Sequence, residues 1–368
     1  MSQVNANSIY DASGGQSAKL YGVSMRNGGT AYVNRIINGA MVIDQRNAGA
    51  AVTISAPSFV YTLDRWFGYG QLTDGVFTVQ RSTTAPTGFT NSALTTVTTA
   101  DASIGASQLY GFGQKIEGFN VADLGWGTAS AQSVTLSFQV RTSVTGTYSV
   151  TVFNSAFNRG YTATFTVSAA NTFETKTITI PGDTSGTWAT DNSIGLTVWI
   201  SLGAGSTFTG TAGAWNAGTT YAATGQVNLI ATSGATFYIT GVQLEAGSVA
   251  SPFERRDYGR ELQMCQRYFQ QLPSNRTDAG FMVLSSPVLG GSDRIPLPVL
   301  PVPLRTSPTV VSFRSNGTTT GETTEFSSNT NRVVTSIPNV DACGGGYLQS
   351  STSFSNPARL NLTYSAEL

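Results

Sequence analysis

From Tyr32 to Glu245 the chain is written in short apolar runs punctuated by turn residues, beginning with YVNRIINGAMVIDQRN, AAVTISAPSFVYTLDRWFGYG and DGVFTVQRST. The run continues through SVTLSFQVRT, GTYSVTVFNS, GYTATFTVS, FETKTITIPG, SIGLTVWISLG and ATFYITGVQLE. Each is rich in β-branched or aromatic residues and bounded by Gly, Asn, Asp or Pro, which is how strands read. Several alternate: Leu136, Phe138 and Val140 fall on one face, as do Ile178 and Ile180. Alternation leaves one face buried and one wet, the pattern of an antiparallel sandwich. About ten strands over about 215 residues make a sandwich of jelly-roll size. No fixed repeat period is present, which argues against a solenoid or a propeller.

The period changes once, after Glu245. Pro252 holds the chain extended and pushes Ser251 out of helical geometry. Asp257 then sits where an N-cap belongs, and Tyr258, Leu262, Cys265 and Phe269 follow at spacings of four, three and four, one stripe of a helix that Pro273 stops. Met264 and Tyr268 add a second apolar stripe beside it. Such a helix has two sides to bury, either between parts of its own chain or against copies of itself. Residues 273–368 return to strand signals, with the proline-dense run from Arg294 to Pro308 suited only to an edge or a surface-crossing segment. Residues 1–34 have little periodicity but carry Ile9, Tyr10, Leu20 and Tyr21. They are either a loose tail or an anchor that orders on a partner. The expected organisation is mostly β: an N-terminal anchor segment (1–34), a large antiparallel jelly-roll sandwich (35–255), a linking and self-association helix (256–272) and a small C-terminal β-sandwich (273–368).

Composition narrows the chemistry. Of 368 residues only 11% are charged, with 20 basic and 20 acidic side chains and no histidine. A neutral chain offers no bulk field to nucleic acid or an anionic membrane surface. No apolar run is long enough to insert in a bilayer, and the start MSQVNANSIYDASGG lacks the basic and apolar regions of a signal peptide. Synthesis in a cytoplasm is therefore expected. Cys265 and Cys343 are far apart in sequence and are expected to stay unpaired. Without histidine there is no Ser-His-Asp arrangement and no histidine metal site, and no phosphate loop or EF-hand is present. Asp44, Asp64, Asp74, Asp123, Asp183, Asp191 and Glu245 leave carboxylate chemistry open in principle, Asp64 beside Arg65 reading as a structural ion pair or cap. Neither a cofactor nor a metal is implied, and the chain is expected not to be an enzyme. Long loops carry Trp126, Trp188, Trp215 and Tyr221 among Asn, Asp and Thr. Exposed, those rings could stack on sugars; buried, they would pin loops to the sandwich.

Three stretches carry a resemblance: NRIINGAMVIDQRN with YTLDRWF, then EGFNVADLGWGTASAQSVTLSFQVR, then FYITGVQLEAGSVASPFERRDYGRELQMCQRYF. Together, over about residues 34–272, they resemble a module of tailed-bacteriophage tail fibres and virion appendages, whose sandwich is similar to carbohydrate-binding modules. The ending LNLTYSAEL is similar to the tails of such proteins, less specifically. The resemblance implies a virion location, a homotrimer, attachment to other virion proteins through the N-terminus, and host adsorption through a bacterial surface glycan. A capsid-decorating or tail-connecting structural protein is the alternative, and a glycan depolymerase a third. Modules of this kind often hold calcium, but Ala40 and Gly241 stand where acids would be expected.

Overall fold

The computed structural model describes residues 33–71, 74–216, 218 and 220–272, the segments 18–20, 23–25, 282–284, 294–296, 300–313, 322–325, 331–336, 347–350 and 358–368, and single positions at 340 and 342. Two antiparallel sheets face each other. One has seven strands in the order Trp215–Asn216, Gly160–Val167, Gly146–Phe153, Ile194–Ala204, Leu109–Glu117, Trp66–Gln71, Val60–Tyr61. The other has six, in the order Glu174–Ile180, Val134–Thr142, Thr236–Ala246, Ser92–Thr99, Val76–Ser82, Val52–Ile54. Chain neighbours are repeatedly separated in the sheets, so the strands cross between layers as in a jelly roll.

Alternation decides what fills the space between them. Leu136, Phe138 and Val140 point inward, against Tyr148, Val150 and Val152 from the facing sheet. Trp66 and Phe112 stack face to face, 5.0 Å between centroids and 6° apart in plane. The Leu109–Glu117 strand departs from the pattern, being buried along its whole length. Both of its faces are covered, the inner by the core and the outer by a second apolar cluster.

The stretch NRIINGAM and the corner QLEAGSVASPFERR are written around each other. Asn34 accepts from the Ile36 and Leu244 amides and donates to the Val242 carbonyl. Glu254 accepts from the Val33 and Asn34 amides. Arg256 donates to the Asn34 and Ile36 carbonyls and pairs with Glu254 and Glu261. Glu245 is fully buried and accepts from the Ser251 amide and hydroxyl and from Gln243. This lattice satisfies the backbone of a segment that belongs to no sheet, where unpaired buried groups would each cost about 1–3 kcal/mol.

The helix is shorter than its sequence pattern predicts. It runs Tyr258–Gln266, capped as expected by Asp257, which accepts from the Gly259 and Arg260 amides. Residues 267–268 turn, and Phe269–Leu272 becomes a strand paired with Ala358–Ser365. The four-three-four spacing that predicts four turns of helix ends in a residue, Phe269, whose backbone is taken by the last strand instead. Of the candidate trimer-helix stripe Tyr258, Leu262, Cys265 and Phe269, the residues Cys265 and Phe269 are buried within the chain near Ile37, Ile43, Tyr268 and Arg46. Leu262 is half-buried and Tyr258 is 60% exposed.

The C-terminal strands described form one connected sheet around Ala358–Ser365, which pairs with Phe269–Leu272, Met282–Leu284, Thr309–Phe313 and Glu322–Glu325. Arg294–Pro296, from the proline-dense run, lies at its edge. The final residues return to the sandwich: Glu367 pairs with Arg65 and Arg46, and the Leu368 carbonyl accepts from Lys115 and Tyr61. Glu117 of the sandwich accepts from Arg267 and Tyr268. At the other end, Ala18–Leu20 pairs with Val23–Met25. Of the anchor candidates Ile9, Tyr10 and Tyr21 lie outside the described residues, as does the side chain of Leu20. Cys343 lies outside them as well.

Candidate glycan-binding surface

The outer face of the seven-stranded sheet is built from the strand positions that alternate with the core. Phe67 and Tyr69 oppose Gly113 and Gly111, and Trp199 opposes Gly113 from the other side. Gly111 is bare for a reason: a Cβ there would lie 2.0 Å from the Trp199 ring, so the indole lies across the strand. Trp199 meets Phe67, Tyr69 and Tyr221 at centroid distances of 6.1, 5.9 and 5.2 Å. Tyr221 also packs on Phe153 at 4.6 Å and Phe208 at 5.5 Å. Above this buried layer Phe59, Phe157 and Tyr221 form a row of near-parallel rings, 6.4 Å and 22° then 6.2 Å and 15° apart. Phe59 is 38% exposed, and Phe157, Tyr221 and Tyr69 are partly so. The result is an aromatic ledge seated on a hydrogen-bonded sheet.

Polar groups accompany it. The Lys115 ammonium sits 3.8 Å from the Phe59 ring centre, its pKa lowered to about 8 by burial and then by the nearby Arg65. The Tyr221 hydroxyl is pushed up to about 12 by burial and by Tyr69, so it stays protonated and can donate. On the same face the buried Trp199 Nε1 and Thr197 Oγ1 have no hydrogen-bond partner among the described residues. A buried polar atom without a partner costs free energy that an added hydrogen-bonding group recovers.

The other three sequence candidates form a separate cluster at one end of the sandwich. Trp126, Trp188 and Trp215 meet edge to face, at 4.6, 5.3 and 5.6 Å. Every indole N–H is committed: Trp126 to the Gln132 carbonyl, Trp188 to Asp183, Trp215 to the Pro181 carbonyl. Arg159 grips Asp183 through two nitrogens and lies 5.6 Å over the Trp215 ring. These contacts pin three loops, and beside them Trp126 and Trp188 line a cavity of about 160 Å³. Sequence reasoning thus groups four aromatics that the fold divides, three at the end and Tyr221 on the face. It passes over Phe59, Tyr69, Phe157 and Trp199. A signal exists for Tyr69 alone, in the run Trp66-Phe67-Gly68-Tyr69, apolar at both parities, which marks a strand covered on both sides.

No protein-family model matches the sequence, and no curated protein matches it. Among solved structures the chain is similar to the enzymatically active domain of tailspike protein 4 of bacteriophage CBA120, at 11% identity and a TM-score of 0.30 over 58% of this chain and 22% of that one. It is similar to a CBM4 module at 16% identity and a TM-score of 0.27, over 57% of this chain and 98% of that one. The family 11 carbohydrate-binding module of the cellulase Lic26A-Cel5E of Clostridium thermocellum matches at 13% identity and a TM-score of 0.28, over 55% of this chain and 99% of that one.

The acids that left carboxylate chemistry open each hold local structure. Asp44 accepts from the Asn47 and Gly49 amides, Asp74 from Gln108, and Asp191 from Ser193. Asp123 pairs with Arg35. Asp183 is occupied as above; burial pushes its carboxyl up, and the hydrogen bonds from Arg159 and Trp188 more than offset this, leaving it below the ordinary range. Asp64 and Arg65 do not pair with each other. Asp64 accepts from the amide and side chain of Gln45, whereas Arg65 pairs with Glu367, donates to the Lys115 carbonyl and stacks on Tyr268 at 3.5 Å. Among the described residues no group of three acids or cysteines is placed to hold a metal ion. Gly241 has φ 61°, and a Cβ there would come within 2.6 Å of the Phe89 ring tip, so an acid at that position would strain the backbone and have to displace that ring.

Proposed function

We propose that the protein is a non-enzymatic structural component of a bacteriophage virion, a tail-fibre-type appendage that binds glycan on the bacterial surface. The observation that carries the binding half is the ledge of Phe59, Phe157 and Tyr221, near-parallel rings partly open to solvent on a rigid sheet. Flat aromatic faces suit the apolar faces of pyranose rings, and the neighbouring Tyr221 hydroxyl and Lys115 ammonium suit their hydroxyls. The virion half is supported by the resemblance of residues 34–272 to phage appendage modules, whose signature corner the polar lattice around Asn34, Glu245, Glu254 and Arg256 explains physically. In this reading the N-terminal segment attaches to other virion proteins and three copies assemble, with Tyr258 and Leu262 at the surface of each helix. Purified full-length protein should compete with intact phage for adsorption to the host, in proportion to its concentration. Unchanged adsorption at saturating protein, with no retention on host polysaccharide, would contradict the proposal.

A further inference from the structure

The cavity at the sandwich end differs in chemistry from the ledge. Its apolar walls come from Val121, Leu124, Ala189, Leu196, Trp126 and Trp188, and its polar side chains are Thr128 and Thr190. The Thr128 hydroxyl is already engaged, donating to the Gly125 carbonyl and accepting from the Ser130 amide. The indole N–H groups are turned away into the loops, so what each ring offers the cavity is carbon. At about 160 Å³ the space is small; an apolar cavity of about 150 Å³ takes a group of benzene size. An oligosaccharide does not fit, and a hydroxyl-rich ring would leave its hydroxyls unpaired there.

We propose that this cavity is a second subsite, which takes a methyl-bearing edge of a sugar: the C6 methyl of a 6-deoxyhexose or the acetyl methyl of an N-acetylhexosamine. The inference rests on the reading of the chain as a glycan binder and adds the substituent it selects. The two indoles meet at 80°, so they form a corner with one ring edge on to the other. Carbon-bound hydrogens of a methyl group fit such a corner, whereas a hydroxymethyl group brings an oxygen that the indole carbons cannot pair, the hydroxyl of exposed Thr190 being the lining side-chain group left uncommitted. Because Trp126 and Trp188 are both held by hydrogen bonds to fixed loop atoms, the corner exists before a ligand arrives and costs little to organise.

The test uses the full-length protein and four simple glycosides: a methyl 6-deoxyhexoside with its parent hexoside, and an N-acetylhexosaminide with the parent hexosaminide. Ligand-observed saturation-transfer NMR should show the strongest transfer at the C6 or acetyl methyl, and that pair's methyl-bearing member should bind roughly tenfold or more tightly than its partner. The arm that responds identifies the source of the methyl. Ala189→Leu, which adds side chain to the cavity wall while keeping both tryptophans, should abolish the preference. Phe157→Ala, on the ledge, should weaken binding of host polysaccharide but leave the ratio within each pair unchanged. Equal binding within both pairs, or a preference that survives Ala189→Leu in a folded protein, overturns the subsite while leaving glycan binding at the ledge standing. Should Ala189→Leu fail to fold, the location of the saturated protons and the ratio within each pair decide the matter. A protein that binds none of the four, and no host polysaccharide, overturns this inference together with the proposed function.

Discussion

At the scale of single residues, burial rather than chemistry sets the unusual properties. Asp64 is wholly buried, and its carboxyl is pushed from 3.8 to about 6 by burial, against the pull of Arg46 and the hydrogen bonds from Gln45. A carboxyl raised in the folded state stabilises the fold in full below its unfolded pKa and loses that contribution as pH rises through its folded one. Urea unfolding of wild type and Asp64→Asn should therefore diverge with pH. The stability of wild type relative to the variant should fall by about 3 kcal/mol between a pH below 3.8 and one above about 6. Glu117 behaves oppositely. Burial raises it, but the hydrogen bonds from Arg267 and Tyr268 outweigh burial and leave it below the ordinary carboxylate range. Its contribution is held at neutral pH and lost as pH falls through its folded pKa. The adjacency of Asp64 and Arg65 in sequence invites an ion pair, but Arg65 has φ 72° and its side chain leaves toward Glu367, 302 positions along. Spacing in the chain carries no information about a partner so distant.

At the scale of elements, the strand Leu109–Glu117 carries the most consequence, because its glycines make the platform on which Trp199 and Phe67 rest. Gly111→Ala places a methyl where the Trp199 ring lies. Overpacking of this kind costs about 1–3 kcal/mol. The variant should melt earlier than wild type in calorimetry and bind glycan more weakly, since the displaced indole carries Tyr221 with it. The sandwich strands were legible because alternation is local: Leu136, Phe138 and Val140 report their own face. The N-cap at Asp257 was legible for the same reason. The end of the helix was not, because Phe269–Leu272 is claimed by Ala358–Ser365, which lies far along the chain. The ledge was hidden too, since Phe59, Phe157 and Tyr221 come from separate loops and strands that only the sheet order brings together. In the sequence Trp199 reads simply as one more core residue.

At the scale of the whole molecule, the sandwich and the C-terminal strands are joined by more than the helix. Arg65, with its side chain 1% exposed, is neutralised by Glu367. Arg267 and Tyr268 close on Glu117 nearby, and the Leu368 carbonyl takes hydrogen bonds from Lys115 and Tyr61. Breaking a buried pair of this sort typically costs about 3–5 kcal/mol, because it strands the remaining charge. The ledge lies beside this junction, Lys115 touching both the Phe59 ring and Leu368, so the surface proposed to meet the bacterium adjoins the contact that holds the last strand to the sandwich. The central claim is that this aromatic face binds glycan. The most direct measurement is a calorimetric titration of purified host surface polysaccharide into full-length wild type, Phe157→Ala and Tyr221→Ala, with circular dichroism to establish that each is folded. Saturable binding by wild type, weakened roughly tenfold or more by either substitution, is the predicted result. Binding that is absent from wild type, or identical in all three folded proteins, would contradict it.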